Sequence, residues 1–423
     1  MNHFHYRGGI LFAEDVPLPV IADAVGTPVY VYAQSTLERH LTVFQEALAG
    51  LDHLVCFAVK ANANMAVLRA LAAKGAGADV VSLGELERAV AAGIPPERIV
   101  FSGVGKSLEE LSRGVALGIH QFNVESEPEL ERLSHMAQAQ GRTAQISLRV
   151  NPDVAARTHA KIATGGAETK FGIPWTRARA VYAHAARLPG LEVAGIDVHI
   201  GSQLTDLEPF EQAFARVAQL VGQLREDGHQ IRRLDLGGGL GIPYDPAEPE
   251  PPAPADYGRL VQKLAKPLGV SVIVEPGRLI AGNAGVLVTR VLFTKDGEAR
   301  RFAVVDGAMN DLLRPAMYEA FHHIDTVRQT PDDAPRYDTD VVGPVCETAD
   351  IFGRARPLPA LAQGDLLVVR SAGAYGAVMA STYNSRPLVP EVLVKGDRWD
   401  VVRPRLDEAF WRGMDKLPPW LAH

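Results

Sequence analysis

The chain has 423 residues, 47% hydrophobic and 22% charged, with 43 Lys plus Arg against 50 Asp plus Glu for a formal charge of −7. That length exceeds one ordinary domain, and the composition supports a large buried core, which excludes wholesale disorder. The mild acidity argues against nucleic acid or an anionic membrane as the main partner, while leaving room for a local cationic pocket around a small anion.

From residue 55 onward, short β-branched or apolar runs recur at 55–60, 78–82, 99–103, 121–125, 145–151, 193–201, 233–236 and 271–275. The first four begin 21 to 23 residues apart, with helical patterns between them. One helix, over 85–92, has Ser82 to cap its start and Gly93 to stop it. Another, over 208–227, sets Phe210, Phe214, Val217, Val221 and Leu224 on one face at steps of three and four. Eight strands alternating with helices predict an α/β chain built on a (β/α)8 TIM-type barrel; a doubly wound open sheet is the rival that periodicity alone does not exclude. The Pro-rich stretch 245–254 reads as a solvated loop after strand seven. Beyond residue 284 the rhythm changes to strand-like runs at 286–295, 301–306, 338–343, 366–371, 391–394 and 399–403, with few helices, which predicts a second, mostly β domain.

Two cysteines, Cys56 and Cys346, are too few for a disulfide scaffold or a Cys-rich zinc site, and point to a reducing, cytoplasmic setting. No uncharged apolar run approaches the roughly 20 residues of a membrane span. The opening residues lack the basic region, apolar stretch and cleavage site of a signal peptide.

In a barrel, reactive groups gather where strands end. Here the strand ends carry Lys60, Asp79, Arg149 with Asn151, His199 with Ser202, the run Asp235-Leu-Gly-Gly-Gly, and Glu275-Pro-Gly-Arg278. Each has a bland explanation alone: a lysine reaching solvent, a core histidine, a tight glycine turn, a turn-capping glutamate. Together they supply an amine for a Schiff base, backbone amides and an arginine for a phosphate, a flat imidazole, and a carboxylate for a pyridine nitrogen. That is the set needed to hold pyridoxal 5'-phosphate. No G-x-S-x-G or H-E-x-x-H occurs, and His322-His323 has no metal-ligand spacing and reads as a surface or turn pair, so no metal is expected.

The ordered motifs FAVKANAN, ADVVSLGEL, LRVNPDV, HAKIATG, KFGI, HIGSQ, DLGGGLGI, EPGRLIAGNAG, VDGAMNDLLRPAMYEAFH, GPVCETADIF and AGAYGAVMASTYNSRP resemble those of the fold-type III pyridoxal-phosphate decarboxylases over essentially the whole chain. The resemblance implies the two-domain plan of alanine racemase, with a barrel over 36–283 and a β-rich domain from 1–35 and 284–423. It implies that Lys60 holds the cofactor covalently and that Asp79 sits near its amine. His199 would stack on the ring, and Ser202, Gly238, Gly239, Gly277 and Arg278 would cradle the phosphate. Glu275 would pair with the ring nitrogen, and Tyr375 would touch cofactor and substrate.

The resemblance further implies that Arg278, Arg314 and Tyr318 hold a distal carboxylate and that Glu347 reads a distal amine. Cys346 would be the acid that reprotonates the α-carbon. Cys346 and Glu347 would come from a partner subunit, in a homodimer with shared active sites. The implied reaction is decarboxylation of meso-2,6-diaminopimelate to L-lysine and carbon dioxide, the last step of lysine biosynthesis.

Arg314 carries the specificity, because a buried guanidinium forks onto a carboxylate and repels a purely cationic tail. The alternatives are a related decarboxylase for D-ornithine, D-lysine or a carrier-bound glutamyl group, a racemase on the same plan, and a non-catalytic cofactor carrier. A racemase needs a second base facing the lysine, and a carrier has no use for the β domain. Cys56, on an apolar strand, reads as a small core residue.

Overall fold

A computed structural model describes residues 2–154, 170–298, 300–331 and 333–421; the HAKIATG motif at 159–165 lies outside them. Two compact units emerge. One comprises Leu37–Pro243 and Pro249–Ile280, the other Met1–Thr36, Tyr244–Glu248 and Ala281–His423.

The first unit is a closed barrel of eight parallel strands: His53–Ala58, Gly77–Val80, Ile99–Phe101, Gln121–Val124, Ala144–Asn151, Leu191–Asp197, Arg233–Asp235 and Ser271–Val274. Sequential strands pair all the way round, and Ser271–Val274 closes on His53–Ala58. Seven of the observed strands stop one to four residues before the ends read from the sequence, and Ala144–Asn151 ends where it was read. The chain leaves the ladder at the point where the reactive residues begin, so Lys60 lies in a 3₁₀ turn (Val59–Ala61) rather than in the first strand.

The turns into the outer helices are set by serine caps. Ser82 accepts from Glu85 N, Ser107 forms a capping box with Glu110, and Ser126 accepts from Glu129 N. The predicted amphipathic helix spans Glu208–Glu226 and buries all five of its expected residues. Phe210 meets Tyr257 edge-on at 5.2 Å, and Tyr257 in turn stacks on Phe44 at 5.8 Å. Pro254 begins the helix Pro254–Leu268 instead of ending the Pro-rich loop, since its fixed φ and absent N–H suit the first helical position.

In the second unit the long strand Gly285–Asp296 is the spine. It pairs antiparallel with Val29–Ala33, Leu366–Val369 and Arg301–Val305. Val29–Ala33 also pairs parallel with Glu391–Lys395, which hairpins to Arg398–Arg403. Tyr337–Val342 lies parallel to Arg301–Val305 and antiparallel to Ile351–Leu358. The sheet buries Leu11, Ile21, Val31, Val286, Val368 and Val392 in one apolar cluster.

Ile351–Leu358 was not expected as a strand. Its sequence IFGRARPL carries Gly, Pro and two Arg, and Ala355 sits at φ 47° in a bulged register. The N-terminal sheet of Phe4–Arg7, Ile10–Ala13 and Val16–Pro17 lies in the 1–35 segment that the resemblance gives to the β-rich domain, although its composition carries no strand signal.

Phe210→Ala removes the ring that joins helix Glu208–Glu226 to Tyr257 and should cost about 3–5 kcal/mol, read as a lower urea midpoint for the barrel.

Candidate active site

At the barrel mouth, Lys60 Nζ lies 2.6 Å from Asp79 Oδ2. The Asp79 side chain is fully buried, whereas that of Lys60 is 39% exposed, so the amine is held from the buried side. The other carboxylate oxygen, Asp79 Oδ1, is buried without a hydrogen-bond partner among the described residues.

His199 accepts a hydrogen bond at Nδ1 from the Gly238 amide, at 3.2 Å. A backbone N–H can only donate, so Nδ1 carries the lone pair and the ring proton sits on Nε2. Burial, reinforced by the positive charges of Arg149 and Lys60, keeps this imidazole neutral, well below the ordinary histidine range. The glycine run makes the contact possible. A Cβ on Gly238 would collide with the Glu275 carbonyl, and Gly239 adopts φ 108° with Gly201 O 2.5 Å from where a Cβ would lie. Arg278, at the start of the short helix Arg278–Ala281, donates to Ser202 Oγ at 3.1 Å and is buried. Gly277 lets the eighth strand's loop approach Ala58 and Ala61.

Glu275 is buried one residue past its strand. Its Oε1 accepts from Ser102 Oγ and Asn123 Nδ2, each at 3.2 Å. The same Asn123 amide donates to Asp235 Oδ2 at 3.0 Å. Burial, with Asp235 and Asp79 as like-charged neighbours, pushes the Glu275 carboxyl well above its usual range. Asp235 is likewise raised, by burial and Asp197. Asn123, Ser102 and Asp235 thus belong to the site, yet the sequence reading gave no role to the first two. Their one signal is polar residues on inward-facing strand positions that packing alone would fill with branched apolar side chains.

In the second unit, Arg314 and Tyr318 stand one turn apart on the short helix Arg314–Tyr318, hence on one face. Cys346 and Glu347 are exposed on one loop. Cys346 N donates to Asn384 Oδ1 at 3.4 Å, and Tyr383 OH donates to Glu347 Oε1 at 2.6 Å. The loop is tied by buried Asp350, whose carboxylate accepts from Met309 N and Val345 N, both at 2.7 Å. Tyr375 is held at φ 55°, an unusual conformation for a bulky residue, next to Gly376, where a Cβ would lie 2.7 Å from Tyr30 OH. Asp350, Tyr383 and Asn384 were missed as supporting residues, although TYNSRP stands among the motifs.

One expectation is corrected. His322 is neither a surface nor a turn residue: it is fully buried, and its Nε2 lies 2.7 Å from Arg314 Nη1. The ring fills apolar space beside Tyr244, and the Arg314 guanidinium satisfies it. Cys56 is buried with Leu54, Val100 and Ile273, and burial pushes its thiol well up, as suits a core residue.

The barrel residues fit pyridoxal phosphate. An amine sits beside a buried carboxylate with one oxygen unengaged among the described residues. Other strand ends of the barrel carry a neutral imidazole, a glycine run that excludes side chains and an arginine–serine pair. The Glu275 carboxyl, raised by burial and like-charged neighbours, is of the kind that a cationic partner would suit.

Comparisons place the chain. Residues 34–282 match the family of the pyridoxal-dependent decarboxylase, pyridoxal binding domain. Diaminopimelate decarboxylase from Pseudomonas aeruginosa is 53% identical over 99% of this chain and 100% of its own. That from Zymomonas mobilis is 50% identical over 96% of both. Among solved structures, diaminopimelate decarboxylase from Helicobacter pylori complexed with L-lysine superposes with a TM-score of 0.89 at 40% identity, covering 93% of this chain and 98% of that one. The M. jannaschii enzyme in co-complex with L-lysine gives 0.94 at 35% identity over 100% of both. With a closed barrel, a separate β unit and near full-length identity of about half to the Pseudomonas aeruginosa and Zymomonas mobilis enzymes, the chain belongs to the pyridoxal-dependent decarboxylases, within the diaminopimelate decarboxylase family.

Proposed function

We propose that the chain decarboxylates meso-2,6-diaminopimelate to L-lysine and carbon dioxide, the last step of lysine biosynthesis. The observation that carries the chemistry is Lys60 Nζ seated 2.6 Å from buried Asp79 at the mouth of the barrel. Bound pyridoxal phosphate supplies the electron sink that accepts the pair left on the α-carbon when carbon dioxide departs.

The protein's part is binding, orientation and one proton. Lys60 holds the cofactor, and Asp79 keeps that amine in place. Ser202, Arg278 and the glycines 238, 239 and 277 cradle the phosphate; the Gly238 amide serves here by orienting His199. His199 offers an uncharged ring for stacking, and Glu275 keeps a proton at the pyridine nitrogen. Tyr375 borders cofactor and substrate. Arg278, Arg314 and Tyr318 bind the distal carboxylate, and Glu347 binds the distal amine.

Decarboxylation needs no base at the α-carbon, only an acid afterwards, and the Cys346 thiol gives its proton there. Cys346 and Glu347 are both exposed, which supports a homodimer in which each chain lends these residues to its partner's site. Among the described residues no helix is long and apolar enough to cross a membrane. We assign the enzyme to the cytoplasm, where both thiols stay reduced.

Purified protein loaded with pyridoxal phosphate and given meso-2,6-diaminopimelate should release L-lysine and carbon dioxide in equal amounts. Silence with that substrate, alongside turnover of D-ornithine or D-lysine, would overturn the reading. Arg314→Lys should raise KM for diaminopimelate at least tenfold, since an ammonium cannot fork onto the carboxylate. Cys346→Ala should keep the visible absorbance of the bound cofactor while kcat falls by about 10²–10⁴-fold. Lys60→Ala should lose the cofactor attachment that borohydride makes permanent; retention of it removes Lys60 from its assigned role.

A further inference from the structure

We propose that His322, in its neutral form with the proton on Nδ1, is the positioning residue that aims Arg314 and so sets selectivity for a substrate with a distal carboxylate. This rests on the reading of Arg314 given above and adds what holds it.

A guanidinium does not lose its proton in a protein and has no acceptor, so the 2.7 Å contact between Arg314 Nη1 and His322 Nε2 fixes the nitrogen as acceptor. The ring proton is then on Nδ1, 2.8 Å from the Arg370 carbonyl, which accepts it. Both bonds are satisfied together by only one form of the ring. A protonated imidazole would set two cations against each other, and the other tautomer would leave two donors facing each other and the Arg370 carbonyl without its proton.

That carbonyl is itself fixed. The Arg370 amide donates to His323 O at 2.8 Å, and its guanidinium Nε donates to Asp325 Oδ2 at 2.7 Å. Tyr244 completes the clamp. The Arg314 guanidinium carbon lies 4.5 Å above its ring, and His322 meets the same ring edge-on at 5.2 Å. His322 is fully buried and Arg314 nearly so, leaving little room for another rotamer. Pinning one edge and one face of a planar fork determines where its other donors point, and that direction separates bidentate carboxylate recognition from a diffuse positive charge.

The same bonds would exist if His322 merely filled the core, so the test separates aim from stability. Asparagine at 322 can reach the Nδ1 position and keep the Arg370 bond but falls short of Arg314. Glutamine can place an acceptor near the Nε2 position. With the cofactor-loaded enzyme and meso-2,6-diaminopimelate, H322N should raise KM at least tenfold while kcat changes less than threefold. H322Q should lie at least fivefold closer to the native KM than H322N.

In a double-mutant cycle, H322N added to Arg314→Lys should change KM by less than twofold, because the group it aims is already gone. Equal KM values for H322N and H322Q, a fall in kcat matching the rise in KM, or additive effects with Arg314→Lys would each overturn the proposal. If Arg314→Lys alone leaves KM unchanged, the reading of Arg314 fails instead. If H322N does not fold, the H322Q comparison with and without Arg314→Lys decides: an additive KM effect there overturns the proposal and a non-additive one supports it.

Discussion

Burying negative charge at the mouth of the barrel is the constraint around which this molecule is organised. Asp79, Asp197, Asp235 and Glu275 all lie at or just past strand ends and are all buried. An isolated carboxylate in such a place is costly enough that proteins pair it, hydrogen-bond it or protonate it. Asp79 is paired with Lys60, Arg149 reaches Glu125 at 3.0 Å and Asp197 at 4.0 Å, and burial among like charges raises the carboxyls of Asp197, Asp235 and Glu275 above their usual range. The Asn123 amide then donates to both Asp235 and Glu275, which keeps the last pair from separating. A cluster this short of positive charge is poorly suited to stability alone. It is well suited to a ligand that brings a cationic nitrogen, which supports the proposed pairing of Glu275 with the ring nitrogen.

The β unit solves a different problem, the display of reactive side chains on loops that would otherwise wander. Cys346 and Glu347 are exposed, yet the turn beneath them is closed by Asp350, whose two carboxylate oxygens gather amides from Met309 and Val345. Gly343 is required there, since a Cβ would press into that carboxylate. Exposure and order therefore coexist. The thiol and carboxylate are offered outward from a fixed base, which suits residues handed to a second subunit.

The barrel was legible because its signal is repetition. Eight apolar runs, the first four begun 21 to 23 residues apart, alternate with helical patterns marked by serine caps and glycine stops, which leaves the doubly wound open sheet as the rival. The reactive residues stood out because each interrupts that pattern at the same phase, just where a strand gives way to its loop. Supporting residues lacked such contrast. Asn123 and Ser102 look like ordinary polar residues until the closed barrel brings Glu275 within 3.2 Å of both. Ile351–Leu358 escaped because glycine, proline and arginine suppress the local strand signal, and pairing with Tyr337–Val342 supplies it instead.

His322 shows why some of the site could not be read at all. Its sequence context, beside a second histidine with no metal-ligand spacing, suggests a surface or turn residue. What it does depends on Arg370, far along the chain, and on Tyr244, which joins the β unit although barrel residues flank it in sequence. An arginine in a motif says that a carboxylate can be bound. Whether it discriminates depends on how many directions the guanidinium can take, and here a single imidazole tautomer reduces them. Selectivity in this enzyme is on that argument a property of the clamp as much as of the residue clamped, and substrate preference within the family can shift through residues that never touch a substrate.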